Sequence, residues 1–152
     1  MTAEFDPYVI WCAGFFDGEG SISIPRANRK TGSGILTKNQ MWLQINITQN
    51  QKPPLLSIKE LFGGRVVICH QPASKKLLRP IWRWVADGPT AAKFLIAVRP
   101  YLRIKGVAAD IALRFQTTVG NSGHVDNAAF VMAARVALKA ELEAANRAEH
   151  AI

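Results

Sequence analysis

The sequence predicts an α+β fold: an αββαββ-type core whose four-stranded antiparallel sheet carries helices on one face, with additional helices at the C-terminal end, all in one domain over residues 1–152. Three observations predict it. Residues 21–24, 41–48, 65–70 and 80–86 have the composition and alternation of strands. Proline and glycine punctuation marks helices around them at 8–16 and 55–62. From residue 89 onward the pattern is helical.

Asp6 is a suitable N-cap and Pro7 suits a first helical turn, so a short helix follows over residues 8–16, apolar on nearly every side. Such a helix is expected to be buried all round. Asp17-Gly18-Glu19-Gly20 ends it, and Ser21-Ile22-Ser23-Ile24 alternates as a strand. Residues 25–40 read as a polar loop carrying Arg26, Arg29, Lys30 and Lys38. In the strand at 41–48, Leu43, Ile45 and Ile47 take one face, and Trp42, Gln44, Asn46 and Thr48 the other. Pro53-Pro54 opens the next helix and Gly63-Gly64 stops it. A basic linker with Lys75, Lys76 and Arg79 separates the last two strands. Trp82 and Trp84 share a face that reads as core, which turns Arg83 outward. Pro89 starts a helix that Pro100 interrupts, another spans about 105–119, and Asp126 caps a last one over about 127–149. Its Ala- and charge-rich end is expected to fray.

Nineteen Lys and Arg against eleven Asp and Glu give a net charge of +8. That balance attracts polyanions, nucleic acid first among them, and a basic but inert surface is the equal alternative on charge alone. A membrane role is not expected, because no apolar run approaches the roughly 20 residues of a bilayer span. The first seven residues lack the basic and apolar regions of a secretory signal, so an intracellular setting is expected: a prokaryotic cytoplasm or an organelle. Cys12 and Cys69 read as reduced core residues. His70, His124 and His150 are scattered and read as surface or loop residues.

A sheet covered on one face leaves the other open. Here that face carries Gln44 and Asn46 with basic loops at its ends. It is either a solvated surface or a platform for the DNA major groove, where amide side chains pair with base edges.

The segment from Cys12 to Ile22 is the most informative. Gly14 and Gly18 lie four apart on one helix face, a spacing that lets two backbones approach closely. Two such helices side by side would bring Glu19 of each copy together. Paired carboxylates tolerate each other when they share cations, and oxygen-only ligation suits Mg²⁺. The alternative is a buried helix ending in an acidic, Gly-rich turn.

Ala13-Gly14-Phe15-Phe16-Asp17-Gly18-Glu19-Gly20-Ser21-Ile22 resembles the LAGLIDADG signature of homing endonucleases. The order of elements, Gln49, and Pro100-Tyr101-Leu102-Arg103-Ile104-Lys105 extend the resemblance over about residues 5–120. A single motif is present. The resemblance therefore implies a homodimer, similar to small intron-encoded enzymes, with Trp11, Gly14, Phe15 and Gly18 at the interface. It implies a long, nearly palindromic duplex site read in the major groove and cut across the minor groove to leave short 3′ overhangs. It further implies Glu19 and the Gly18 carbonyl as metal ligands and Gln49 as a residue ordering active-site water. Lys105 would lie near the scissile phosphate. Mg²⁺ is the implied cofactor, with Mn²⁺ substituting and Ca²⁺ supporting binding only. Expected DNA contacts are Arg26, Arg29, Lys30, Lys38, Gln44, Asn46, Lys75, Lys76, Arg79 and Arg83. Pro53 departs from relatives that place an arginine there, leaving Lys52 as the candidate substitute. Two other functions are compatible with the scaffold: a maturase for the RNA of its host intron, and a non-catalytic DNA-binding regulator. An intact Glu19 favours the nuclease.

Overall fold

The structure, a computed structural model, describes residues 5–70, 79–119 and 129–151. In chain order its elements are α1 (Pro7–Glu19), β1 (Gly20–Ser23), β2 (Arg26–Lys30), β3 (Leu36–Met41), β4 (Gln44–Gln49), α2 (Lys52–Phe62), β5 (Arg65–His70), β6 (Ile81–Asp87), α3 (Gly88–Val98), α4 (Gly106–Val119) and α5 (Ala129–His150). A 3-10 turn at Arg99–Tyr101 follows α3 where Pro100 was expected to break the helix. The four-stranded sheet has the order β1-β4-β6-β5 and every pair is antiparallel. This is the expected α+β architecture. No helix among the described residues is long and apolar enough to cross a membrane.

The inner face of the sheet is apolar. Ile22, Ile45, Ile47, Trp84 and Ala86 are buried on it. Phe94 of α3 is the hub of the core: its ring meets Phe16 of α1 and Phe62 of α2 edge-on, at 5.2 and 5.0 Å, and Trp84 of β6 at 5.0 Å. Trp84 donates its indole N–H to the Gly63 carbonyl at 2.9 Å, so the large buried ring leaves no polar atom unpaired. Gly64, at φ +83°, has no room for a side chain, since a Cβ would meet the Val85 carbonyl at 2.6 Å. The Gly63-Gly64 stop after α2 is therefore also a close approach of backbone to β6.

Residues 25–40 are not a loop. They form an antiparallel pair, β2 with β3, with a bulge between Ala27 and Arg29. The pair prolongs the β1–β4 hairpin: Ser23 faces Gln44, and Arg26 faces Met41. The ladder breaks where Pro25 has no N–H to give, and Trp42 N–H donates to the Pro25 carbonyl across the gap. Hence the strand expected at 41–48 is split, Met41 closing β3 and Gln44 opening β4. β2 is exposed throughout, so no burial alternation announced it.

Three further expectations are corrected. α1 is buried on one side only: Cys12, Ala13, Phe16 and Asp17 face the core, whereas Ile10 and Trp11 are 40% and 43% exposed. Cys69 is exposed, its thiol donating to the Ile81 carbonyl beside a register shift at the end of β5. Cys12 is buried as expected, and burial pushes its thiol up to about 11. The end of α5 does not fray; it stays helical to His150 and docks on the core. Arg135, almost fully buried, caps α4 by donating to the Thr118 carbonyl at 2.7 Å and to its hydroxyl at 3.1 Å.

Candidate active site

Glu19 is the last residue of α1, and its side chain is exposed at the point where the chain turns into β1. Gly20 makes the turn possible, because a Cβ there would collide with the Phe16 ring and carbonyl. Asp17, two residues back, points the opposite way. Its carboxylate accepts from the backbone N–H of Arg103 at 2.7 Å, Ile104 at 3.2 Å and Lys105 at 2.9 Å. Those donors lie in the turn just ahead of α4, so Asp17 anchors the start of a helix far away in sequence. The consequence is positional: the first turn of α4 is tied to the last turn of α1, and Lys105 is carried to the same pocket as Glu19.

That pocket, about 250 Å³, is walled by residues 18–22, by Lys105, and by Asn146, Glu149 and His150 at the end of α5. Lys105 is only 8% exposed. Its ammonium donates to the Asp17 carbonyl at 3.1 Å and lies 3.6 Å from a Glu149 carboxylate oxygen. Sequence reasoning missed Asp17 and Glu149. Asp17 stood inside the motif, and its acidity next to a strand start was the available signal. His150, read as a surface residue, is exposed and still lines this pocket.

Gln49 closes β4, two residues beyond Ile47, the partner of Gly20. It does not line the pocket; its side-chain oxygen accepts from the Asn50 N–H at 2.8 Å. Lys52 lies over the half-buried Trp82 ring at 4.2 Å, beside the Gln49–Trp82 pair of the ladder.

No group of three or more His, Cys, Asp or Glu side chains among the described residues is arranged to hold a metal. What one chain does offer is an exposed carboxylate and a helix-end carbonyl, Gly18. Such a set fits a hard cation that keeps most of its waters and takes few protein carboxylates.

The outward face of the sheet is polar and basic. Gln44, Asn46 and Thr48 are half-buried there, and Arg83 donates to the Thr48 hydroxyl at 3.3 Å. Gln44 is already engaged: its amide donates to Asp87 at 2.8 Å, and Arg65 pairs with the other Asp87 oxygen at 2.7 Å. Arg26, Arg29, Lys30 and Lys38 are exposed along the β2–β3 arm, and the Arg29 guanidinium stacks 4.5 Å above Trp42. Arg79 is exposed before β6, whereas Lys75 and Lys76 lie outside the described residues, as do His124 and the Asp126 cap.

The outer face of α1 carries Trp11, Gly14, Phe15 and Gly18. Trp11 stacks between Tyr8 at 5.5 Å and Phe15 at 5.0 Å. Among the described residues, a Cβ at Gly14 or Gly18 would meet nothing within 4 Å.

Residues 12–79 match the family model described as LAGLIDADG endonuclease. The fold is that of LAGLIDADG homing endonucleases. The homing endonuclease I-CvuI, solved in complex with its target in the presence of Ca, matches with a TM-score of 0.69 at 20% identity, over 91% of this chain and 81% of its own. The archaeal intron-encoded homing endonuclease I-Vdi141I, complexed with DNA, matches at 0.67 and 19% identity, over 91% and 83%. I-SmaMI, bound to an uncleaved DNA target with calcium ions, matches at 0.62 and 20% identity; 91% of this chain covers 45% of that one. No curated protein sequence matches.

Proposed function

We propose that this protein is a site-specific endonuclease for double-stranded DNA, acting as a homodimer and dependent on a divalent metal. The observation that carries the reading is the convergence of Glu19 and Lys105 in one pocket at the end of a helix whose outer face is apolar and open.

Two copies packed through α1 would cover Trp11 and Phe15, and the two glycines would let the helix axes approach. The two Glu19 carboxylates would then lie close together, across the two strands of one duplex. Glu19 and the Gly18 carbonyl would hold the metal, Mg²⁺ in this reading with Mn²⁺ able to replace it and Ca²⁺ supporting binding alone. A bound divalent ion supplies phosphate clamping and a lowered pKa for the attacking water. Lys105 offsets the charge that develops on the phosphate. Gln49, at the end of β4, turns from Asn50 to order water near the scissile bond. Cuts on opposite strands across a minor groove would leave short 3′ overhangs.

The sheet face and the β2–β3 arm would read the duplex. The stacked Arg29 loses less freedom on contact than an untethered side chain does. The Gln44–Asp87–Arg65 cluster must open, or present its free edges, for Gln44 to meet a base. Replacing Arg29 and Lys30 with Ala removes two cations per subunit. The slope of log K against log salt should then flatten by as much as about 3.6 for a dimer, at 0.9 per lost phosphate contact. Equal slopes for the variant and the wild type would take the arm off the phosphates.

Cleavage selection from a random duplex library with Mg²⁺ tests the function itself. Recovered ends should define a long, nearly palindromic site with 3′ overhangs. Recovery of no cut sequence with any divalent ion would overturn the nuclease reading, leaving RNA binding to a host intron as the function to test.

A further inference from the structure

We propose that Glu149, on the last turn of α5, is a positioning residue for cleavage: it holds the Lys105 ammonium in the pocket beside Glu19, which makes the C-terminal helix a working wall of the active site. The proposal rests on the nuclease reading above and adds to it a residue that lies well outside the motif.

Three observations converge. First, the pair is enclosed: the Lys105 and Glu149 side chains are 10% and 13% exposed, with nitrogen and oxygen 3.6 Å apart. The other acceptor of the ammonium is the Asp17 carbonyl, so without Glu149 a nearly buried cation would keep one fixed hydrogen bond and lose the carboxylate that lies 3.6 Å from it.

Second, α5 is lashed to the strand that leaves Glu19. Asn146 donates to the Ile22 carbonyl at 3.0 Å and Lys139 to the Ile24 carbonyl at 2.7 Å. β1 is an edge strand, and these side chains take up carbonyls that no neighbouring strand reaches. The end of α5 is thereby fixed relative to the Glu19 turn. Third, α5 needs no ion pair to dock, because Leu138, Leu142 and Arg135 already bury it against the core. The Glu149 contact is thus spent on Lys105 rather than on holding the helix. The helix C-terminus adds partial negative charge in the same place, which favours a cation there.

Glu149→Ala, Glu149→Gln and Lys105→Met are compared alone and with Glu149→Ala and Lys105→Met combined, after circular dichroism confirms folding. In single-turnover cleavage of a selected duplex, Glu149→Ala should slow the chemical step by roughly ten-fold or more, while affinity measured in Ca²⁺ stays within about two-fold. Glu149→Gln, which keeps an acceptor oxygen but no charge, should fall between. In the Lys105→Met background Glu149→Ala should cost nothing further, since its effect runs through the lysine. A second readout is independent of cleavage: acylation of Lys105 by a limiting amine-reactive ester, followed by peptide mass spectrometry, should be slow in the wild type. It should be roughly ten-fold faster in Glu149→Ala, as the side chain swings out to solvent. Unchanged rate and labelling in Glu149→Ala, or a loss that adds in full to that of Lys105→Met, overturns the proposal. A wild type that cuts no duplex while its Lys105 is still protected sinks the nuclease reading and this role with it; cleavage without protection sinks this role alone.

Discussion

Gly14→Leu is expected to leave a folded protein that no longer dimerises. Gly14 lies in the middle of α1 on the face away from the core, where a Cβ would meet nothing within 4 Å among the described residues. Leucine also favours the helix over glycine by close to 1 kcal/mol, so the protomer should not lose stability. The proposed partner helix changes the sign. A leucine on each copy would stand where two backbones are to approach, and overpacking of that kind costs about 1–3 kcal/mol per site. Two sites together cost about 2–6 kcal/mol, which weakens dimerisation by roughly 30-fold to 10⁴-fold. Gly20→Ala is the contrasting change six residues further on in the same motif. Its methyl would collide with Phe16 inside the protomer, so it should lower the melting temperature at any concentration. Sedimentation equilibrium and circular dichroism separate the two outcomes. If Gly14→Leu sediments as an intact dimer, the α1 face is not the interface.

The sequence made the core legible because the core is periodic. Ile45 and Ile47 alternate with Asn46 and Thr48, and the structure buries the first pair and turns the second outward. Asp6 accepts from Tyr8 N–H at 2.9 Å, as its place before Pro7 suggests. The β2–β3 arm was illegible for the converse reason: both its faces meet solvent, so nothing in Arg26–Lys30 distinguishes strand from loop. At the candidate site Glu19 and Lys105 were found through the motif and the segment ahead of α4. Their neighbours were not. Asp17 bonds to a backbone 86 to 88 residues away, and Asn146 to a carbonyl 124 residues away. No local pattern encodes such partners. The end of α5 reads as solvent-exposed because alanine and charge are what a fraying helix also contains. What sets it apart is that Lys139, Asn146 and Glu149 each reach a partner far away in sequence, on β1, just past it, or at the start of α4.

Glu19→Gln should retain DNA binding and lose cleavage. The amide keeps the size and shape of the carboxylate, and Glu19 is exposed at the helix end, so folding is not at stake. What disappears is the negative charge that would attract a hard divalent ion. Without the ion the attacking water keeps its high pKa and the leaving oxygen is unsupported, which removes several kcal/mol of stabilisation from the transition state. A loss of about 4 kcal/mol corresponds to roughly a thousand-fold in rate, so the variant should sit at or near background. Binding draws on other groups: the Arg26, Arg29, Lys30 and Lys38 arm and the Arg83 face are untouched by the change. Removing one anion per subunit near the phosphates should, if anything, tighten the complex slightly. Lys105 provides the complementary control. Lys105→Met keeps the metal ligands and should cut more slowly rather than not at all, since a single positioned charge is lost. A gel-shift in Ca²⁺ and a nicking assay in Mg²⁺ on the same duplex measure both halves of the expectation. Near wild-type nicking by Glu19→Gln would remove Glu19 as the metal ligand and with it the mechanism argued above. Loss of binding together with cleavage would mean that Glu19 organises the α1–β1 turn rather than the chemistry.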